Sequence, residues 1–321
     1  MPEPNFPKRA FVTGATGFVG SNLVRVLLAG GTEVRAIVRD DSDRSGLAGL
    51  EIDLRTADLL DIAALESVIH GCDVCFHLAA AISGESAALY RTNVEGTRAV
   101  LTAAIRSGCS AIVHTGTMGT LSRQDGSPAR ENDHRLEPGA SEYVKSKFEA
   151  ETVARELART GAPIRIVHPS APVGRWDRVP TVSGKRIVEV LSGKLPRWIQ
   201  GKINHIHVAD VAMGMVLAAA RGRPCESYLL ANKEGNLTRE EFVRLVSSAA
   251  GIPVPRMQRR RGFLSWLAPR PSPSTGGVTG PKSLACDPTW TISQLQFPQT
   301  PLDQAFHEAV EWFRNQLRED S

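Results

Sequence analysis

FVTGATGFVG, residues 11–20, ends a short apolar run and opens a helical one, with glycine at Gly14, Gly17 and Gly20. Three positions without side chains let a backbone turn tightly and let another group approach it closely. The G-x-x-G-x-x-G spacing differs from the usual G-x-G-x-x-G, but the mechanics are shared. A strand ends, the chain turns, and a helix N-terminus offers free N–H groups and a positive dipole end to a pyrophosphate. Glycines that serve packing alone are the plainer alternative. A bound dinucleotide is the expectation.

Which dinucleotide depends on the end of the second strand, about 20 residues further on. An acid there would hold the ribose hydroxyls of NAD. This chain has Arg39, in AIVRD, with Arg44 a turn later. A guanidinium suits a 2′-phosphate through paired, charge-assisted hydrogen bonds. The neighbouring Asp40 pulls the other way, and a solvated loop arginine is the alternative. NADP is expected ahead of NAD.

A second constellation is SEYVKSKFEA, where Tyr143 and Lys147 stand i, i+4 and so share one face of a helix. A phenol beside an ammonium has a reason to titrate lower, and can then exchange a proton with a carbonyl or hydroxyl. Alone, Y-x-x-x-K occurs by chance in many helices. Its weight comes from following the glycine motif. Between the two lies IVHTGTMGT, where Thr117 sits just past a strand end and its hydroxyl can bond a substrate oxygen or merely form a turn.

Working outward, apolar β-branched runs alternate with helical periodicity. Strands are expected at Ala10–Val12, Glu33–Val38, Val74–Leu78, Ala111–His114 and Ile164–Val167. Helices are expected at Ser21–Leu28, Ile62–Ile69, Val94–Arg106 and Tyr143–Ala158. Such alternation calls for an α/β fold with a parallel sheet covered on both faces. After Pro169 the texture turns to Gly, Pro, Arg and Trp, with a helical stretch near Ile187–Leu191. A strand and helix follow at Ile206–Ala220, then helices at Arg239–Ala249 and Leu302–Leu317. The basic, Pro-rich stretch at 256–280 reads as a loop over a substrate mouth, with a nucleic-acid or lipid patch as the alternative.

The chain has 321 residues, 42% hydrophobic and 22% charged, with 38 basic and 34 acidic side chains. The net charge of +4 is too small to argue for nucleic acid or a membrane surface. MPEPNFPKRA has no apolar signal region, and VAMGMVLAAA (211–220) is about half a spanning length. Five cysteines fit a reducing compartment better than a disulfide framework. A cytoplasmic protein is expected, with a homodimer left open. Cys72 and Cys75 form C-x-x-C but lead into a strand, so thiolate activation is missing, and no second pair exists for zinc. His205 and His207 flank Ile206 in a strand, as pocket-lining or structural residues.

Taken in order, TGATGFVG, TADLLD, CFHLAA, NVEGT, HTGTMGT, YVKSK, HPSAPVG and IHVADVA closely resemble the extended short-chain dehydrogenase/reductase family. That family is also called the NAD-dependent epimerase/dehydratase family. The dihydroflavonol-reductase-like branch and the hopanoid-associated sugar epimerases are the most similar, through AIVRDDSDRSGL and NLTREE. The resemblance implies a Rossmann-type doubly wound sheet over 1–170 and about 204–230. A smaller substrate domain is implied from about 171–203 and 231–321. It implies Tyr143 as acid/base, Lys147 lowering its pKa and holding the nicotinamide ribose, and Thr117 in place of the family's Ser/Thr. Asn93 would position the catalytic segment. Gly14, Thr16, Gly17, Phe18, Val19 and Gly20 would meet the cofactor, as would Asp58, Leu59, Ala79, Ala80 and Pro169.

Four departures stand out. Gly116-Thr117 replaces the family's Ser-Ser. His168 stands where nucleotide-sugar enzymes carry Asn, and Ile203 where they carry Arg, although Lys202 is adjacent. Met118 replaces the acid of the sugar dehydratases. The expected activity is NADP(H)-dependent reduction of a ketone or aldehyde, or oxidation of a secondary alcohol. A nucleotide-sugar epimerase and a non-catalytic dinucleotide sensor are the rivals.

Overall fold

The computed structural model describes residues 5–255 and 283–319, so the stretch expected to form a loop at 256–280 lies outside the described residues. The chain runs β1 (Arg9–Thr13), α1 (Phe18–Ala29), β2 (Glu33–Val38), β3 (Asp53–Thr56), α2 (Ile62–Ile69), β4 (Val74–His77) and α3 (Ser86–Tyr90). It continues with α4 (Gly96–Arg106), β5 (Ala111–Thr115), α5 (Glu142–Arg159), β6 (Ile164–Pro169), β7 (Ala171–Val173) and α6 (Val182–Leu191). The last elements are β8 (Ile203–His207), α7 (Val208–Arg221), β9 (Ser227–Leu230), β10 (Asn236–Leu237), α8 (Arg239–Ala250), α9 (Thr289–Leu295) and α10 (Leu302–Glu319).

Seven strands form one parallel sheet in the order β3-β2-β1-β4-β5-β6-β9. The order reverses at β1: β2 lies on one side of it and β4 on the other, with Thr13 opposite Ile37 and His77. This is the Rossmann-type doubly wound arrangement, whose crevice opens where the strand order reverses. Helices cover both faces, because parallel crossovers are usually made by them. On one face Leu23, Val24 and Leu27 of α1 share an apolar cluster with Val211, Met215 and Val216 of α7. On the other, Leu65 of α2, Val100 of α4 and Ala154 of α5 close over Phe11, Cys75 and Ile112. Fully burying a side chain of this size is worth about 1.5–3 kcal/mol, so the central strands tolerate little polarity. A second sheet, β10-β8-β7, packs with α6, α8 and α10 around Ile187, Phe242, Phe306 and Phe313.

Most elements fall where the periodicity puts them, within a residue or three at the ends. The short polar edge strand β3 has no apolar signature: its residues DLRT are partly or fully exposed, and Asp53 is held by Arg35 and Arg55. The helix expected from Val94 begins instead with a wide π-type turn over Arg91–Glu95, a feature that recurs at functional sites. Among the described residues, no helix is long and apolar enough to cross a membrane.

The glycine turn is held by backbone against backbone. Gly14 has φ +72°, and a Cβ there would stand 2.7 Å from the Ala79 amide nitrogen. A Cβ at Gly20 would stand 2.0 Å from the Gly14 carbonyl oxygen. Neither clash involves a side chain that could swing away. Gly20→Ala should therefore destabilise the chain by about 1–3 kcal/mol, the usual cost of overpacking. Urea denaturation of the variant checks this, and an unchanged midpoint would contradict it.

Candidate active site

The crevice begins with one hydroxyl. Thr13, fully buried at the end of β1, accepts hydrogen bonds from the amides of Leu78 and Ala79, both at 3.1 Å. Its own proton then goes to His77 Nδ1, 2.8 Å away, which leaves Nε2–H to donate to Thr97 at 3.0 Å. Burial holds His77 down at about 3, so the ring is neutral and this tautomer is self-consistent. Thr13 thus ties the chain leaving β4 to the end of β1, on both sides of the switch point.

A cleft of about 430 Å³ opens there, lined by Gly14, Thr16, Gly17, Arg39, Leu59, Ala79 and Ala80 among others. Gly17, exposed, caps α1 with no side chain bonded to the helix end, and no acidic residue sits in the first turn. The positive end of the helix dipole is therefore left for an anion. A dinucleotide fits these residues. An adjoining cleft of about 390 Å³ is lined by Arg39, Asp58, Leu59 and Arg91. Phe18, Val19 and Pro169 line neither cleft, and Gly20 is buried behind the turn. Arg44 also lies outside both, exposed at the start of a short 3₁₀ turn over Ser45–Leu47. Arg91, which sequence reasoning passed over, takes its place at the rim. Its position two residues before Asn93 was the available signal.

Helix α5 carries the second constellation. Ser141 caps it by accepting from the Val144 amide at 3.3 Å, and Glu142 suits the dipole in the first turn. Tyr143 and Lys147 then stand on one face. Lys147 is buried and donates to the Thr115 carbonyl at the end of β5, at 2.7 Å. Thr117 starts a 3₁₀ turn over Met118–Thr120, its hydroxyl accepting from the Gly119 amide at 3.3 Å. That turn packs on α5, since a Cβ at Gly119 would touch Val144 at 3.3 Å. Asn93 is fully buried, exchanging two hydrogen bonds with the Ala81 backbone and donating to Ser146 at 2.9 Å. It joins the cleft wall to α5 between Tyr143 and Lys147.

One expectation is reversed. Lys147 was expected to lower the Tyr143 pKa, yet burial dominates and pushes the phenol up to about 12. The ammonium is itself held down at about 8 by burial, against the pull of Glu151. Burial shifts both groups toward their neutral forms, although a lysine near 8 is still mostly protonated at pH 7.

Two of the sequence departures, Gly116 and His168, pack against each other. A Cβ at Gly116 would lie 2.9 Å from His168 Nδ1, so the imidazole occupies the space of a larger residue. Ile203 is buried in β8, and Met118 packs with Leu121, Leu229 and Ala231. His205 is enclosed by the rings of Trp198, Phe242 and Phe306. His207 caps α7 and meets Glu308 at 3.1 Å. Neither histidine lines either cleft. Burial raises the thiols of Cys72 and Cys75, the opposite of activation.

A sequence model of the NAD dependent epimerase/dehydratase family matches residues 10–231. A Synechocystis protein provisionally named dihydroflavonol 4-reductase is 35% identical, over 95% of this chain and 94% of its own length. Sterol demethylase protein B of Methylococcus capsulatus is 30% identical over 94% of this chain and 97% of its own. A Stigmatella aurantiaca ketoreductase of a farnesylated dihydroquinoline-1-oxide is 34% identical over 76% of this chain and 74% of its own. Among solved structures, gox2253 superposes with a TM-score of 0.84 at 33% identity, over 97% of this chain and 99% of that one.

The depressed Lys147 gives a pH signature. An unfolded lysine keeps its proton up to about pH 10.4, whereas the folded one loses it near 8. The unfolded state binds more protons across that interval, so stability rises with pH there. Wild type should therefore gain stability relative to Lys147→Met between pH 8 and 10, measured by denaturation midpoints. A constant difference across that range would contradict the assignment.

Proposed function

The chain belongs to the NAD dependent epimerase/dehydratase family, and on that premise we propose that it is an NADP(H)-dependent oxidoreductase. It reduces a ketone or aldehyde to the alcohol, or runs in reverse on a secondary alcohol. The observation that carries the reading is that α5, with Tyr143 and Lys147 on one face, is tied by Lys147 to the end of β5, packs on the Thr117 turn through Val144, and is joined through Asn93 to Ala81 in the wall of the switch-point cleft. The reductase and ketoreductase names of two relatives support the same direction of chemistry.

When bound, the reduced nicotinamide supplies the hydride, and the protein supplies orientation and the proton. Gly14, Thr16, Gly17 and the free N-terminus of α1 would hold the pyrophosphate. Ala79 and Ala80 line the same floor, and Asp58 and Leu59 bound the adenine end. Tyr143 protonates the developing alkoxide, which calls for the protonated phenol that burial favours. The Thr117 hydroxyl accepts from Gly119, so its own proton is free for the same oxygen. Lys147 sits one turn behind, fixed by the Thr115 carbonyl.

Arg39 and Arg91, both exposed on the adenine side, support a 2′-phosphate and hence NADP. Arg39 makes only a loose pair with Asp41, at 3.4 Å with both side chains more than three-quarters exposed, so it is available. Buried Ile203 and His168 offer no open polar groups for a nucleotide diphosphate, which counts against an epimerase.

Tyr143→Phe should keep the fold and cofactor affinity and lose turnover by about 10²–10⁴-fold, the contribution of general acid catalysis. Near-native turnover of carbonyl substrates would sink the mechanism. Arg39→Asp should weaken NADPH binding by roughly 1.5–3 kcal/mol, the range for hydrogen bonds to charged groups. Calorimetry that finds the native protein preferring NADH would overturn the 2′-phosphate reading.

A further inference from the structure

Glu151 follows Lys147 by one helical turn and is wholly buried, on the same face of α5 as Tyr143. A carboxylate so enclosed needs partners, because unpaired burial is costly. One oxygen receives Arg155 at 2.7 Å and lies 3.3 Å from His168 Nε2. The other lies 2.8 Å from the Thr120 hydroxyl and 3.4 Å from His134 Nε2. Arg155 continues to Ser227 on β9 at 2.8 Å. Every one of these groups comes from a different piece of the fold, and two of them reach the turn that carries Thr117.

Thr120 reaches it through its hydroxyl, 2.8 Å from the Thr117 carbonyl oxygen. His168 reaches it through Nδ1, 3.4 Å from the same oxygen. The imidazole also stands directly against the Cα of Gly116, where any Cβ would fall within 2.9 Å of the ring. The turn is therefore gripped from behind at Gly116, Thr117 and Thr120.

We propose that Glu151 and His168 are positioning residues, a buried brace that sets the 116–120 turn so that the Thr117 hydroxyl faces the same substrate oxygen as Tyr143. The proposal rests on the carbonyl-reductase reading for the role of Thr117. The grip itself rests on geometry alone. Glu151 acts through the Thr120 hydroxyl, the neutral His168 ring lies beside it, and neither touches a reacting atom. His168 fills the volume that Gly116 leaves open, so the two residues form a matched pair in which neither changes freely without the other.

The test is a double-mutant cycle on the full-length protein with Gly116→Ser, His168→Asn and the pair together, beside Glu151→Gln as a third single variant. Two readouts are followed: kcat for NADPH-dependent reduction of a carbonyl panel, and hydrogen exchange of the peptide spanning 116–121. Each single variant should lose about 10²-fold in kcat, the scale for a misplaced catalytic group, and its 116–121 amides should exchange faster. The double variant should recover at least roughly tenfold over the product of the single effects, within the coupling range of residues in contact. Its exchange protection should return with the rate. If Gly116→Ser cannot be purified while the double variant can, the same coupling is read at the level of folding. Additive effects on both readouts, or unchanged exchange in every variant, would overturn the brace. A wild-type protein that reduces no carbonyl would overturn the activity reading, and the exchange cycle would still decide the brace.

Discussion

The contact on which the rest depends is the seating of α1 against the carbonyl of Gly14. Only a residue without a side chain at Gly20 lets the helix begin that close to the strand, since a Cβ would intrude to 2.0 Å. This sets where the first helix turn points its free N–H groups. It also leaves Gly17 exposed at the cap. The Thr13 hydroxyl then collects the amides of Leu78 and Ala79, so the floor of the crevice comes from β4 while its anion-binding end comes from α1. The glycines are therefore both a packing device and a binding device: Gly20 satisfies the fold, Gly17 faces the cleft, and Gly14 does both.

A similar economy governs α5. Its inward face carries Lys147 and Glu151, both buried. Buried charges of opposite sign one turn apart offset some of each other's desolvation, and Glu151 does pull the lysine's pKa upward against burial. The lysine reaches the end of β5 and the glutamate reaches the turn beyond it, so one helical face registers the whole segment Thr115–Thr120. Asn93 registers the opposite side, bonding the Ala81 backbone and Ser146. Tyr143 is thus presented by a helix clamped at three points.

Much of this was legible in the sequence. The glycine spacing, the apolar alternation and the i, i+4 pair of Tyr143 and Lys147 each reflect a local periodicity, and local periodicity survives without coordinates. What escaped depends on contacts between distant segments. Strand β3 is polar and at the sheet edge, so no alternation marks it. The packing of Gly116 against His168 joins the end of β5 to β6, 52 residues apart, and no local spacing encodes it. Glu151 could have been found, since it extends the Tyr143–Lys147 spacing by another four residues. Its burial, which gives it meaning, could not. The sign of the Tyr143 shift failed for a related reason: proximity to a cation is readable from spacing, whereas desolvation is set by everything packed around it.

The central claim is net hydride transfer to a carbonyl, and isotope tracing tests it most directly. NADPH deuterated at the transferable position would be incubated with the protein and a panel of ketones and aldehydes, and the products analysed by mass spectrometry. The account predicts one deuterium on the carbinol carbon of an alcohol product, with one oxidised cofactor released per turnover. A sugar nucleotide inverted at one carbon, with the cofactor returned unchanged and no deuterated alcohol formed, would contradict it.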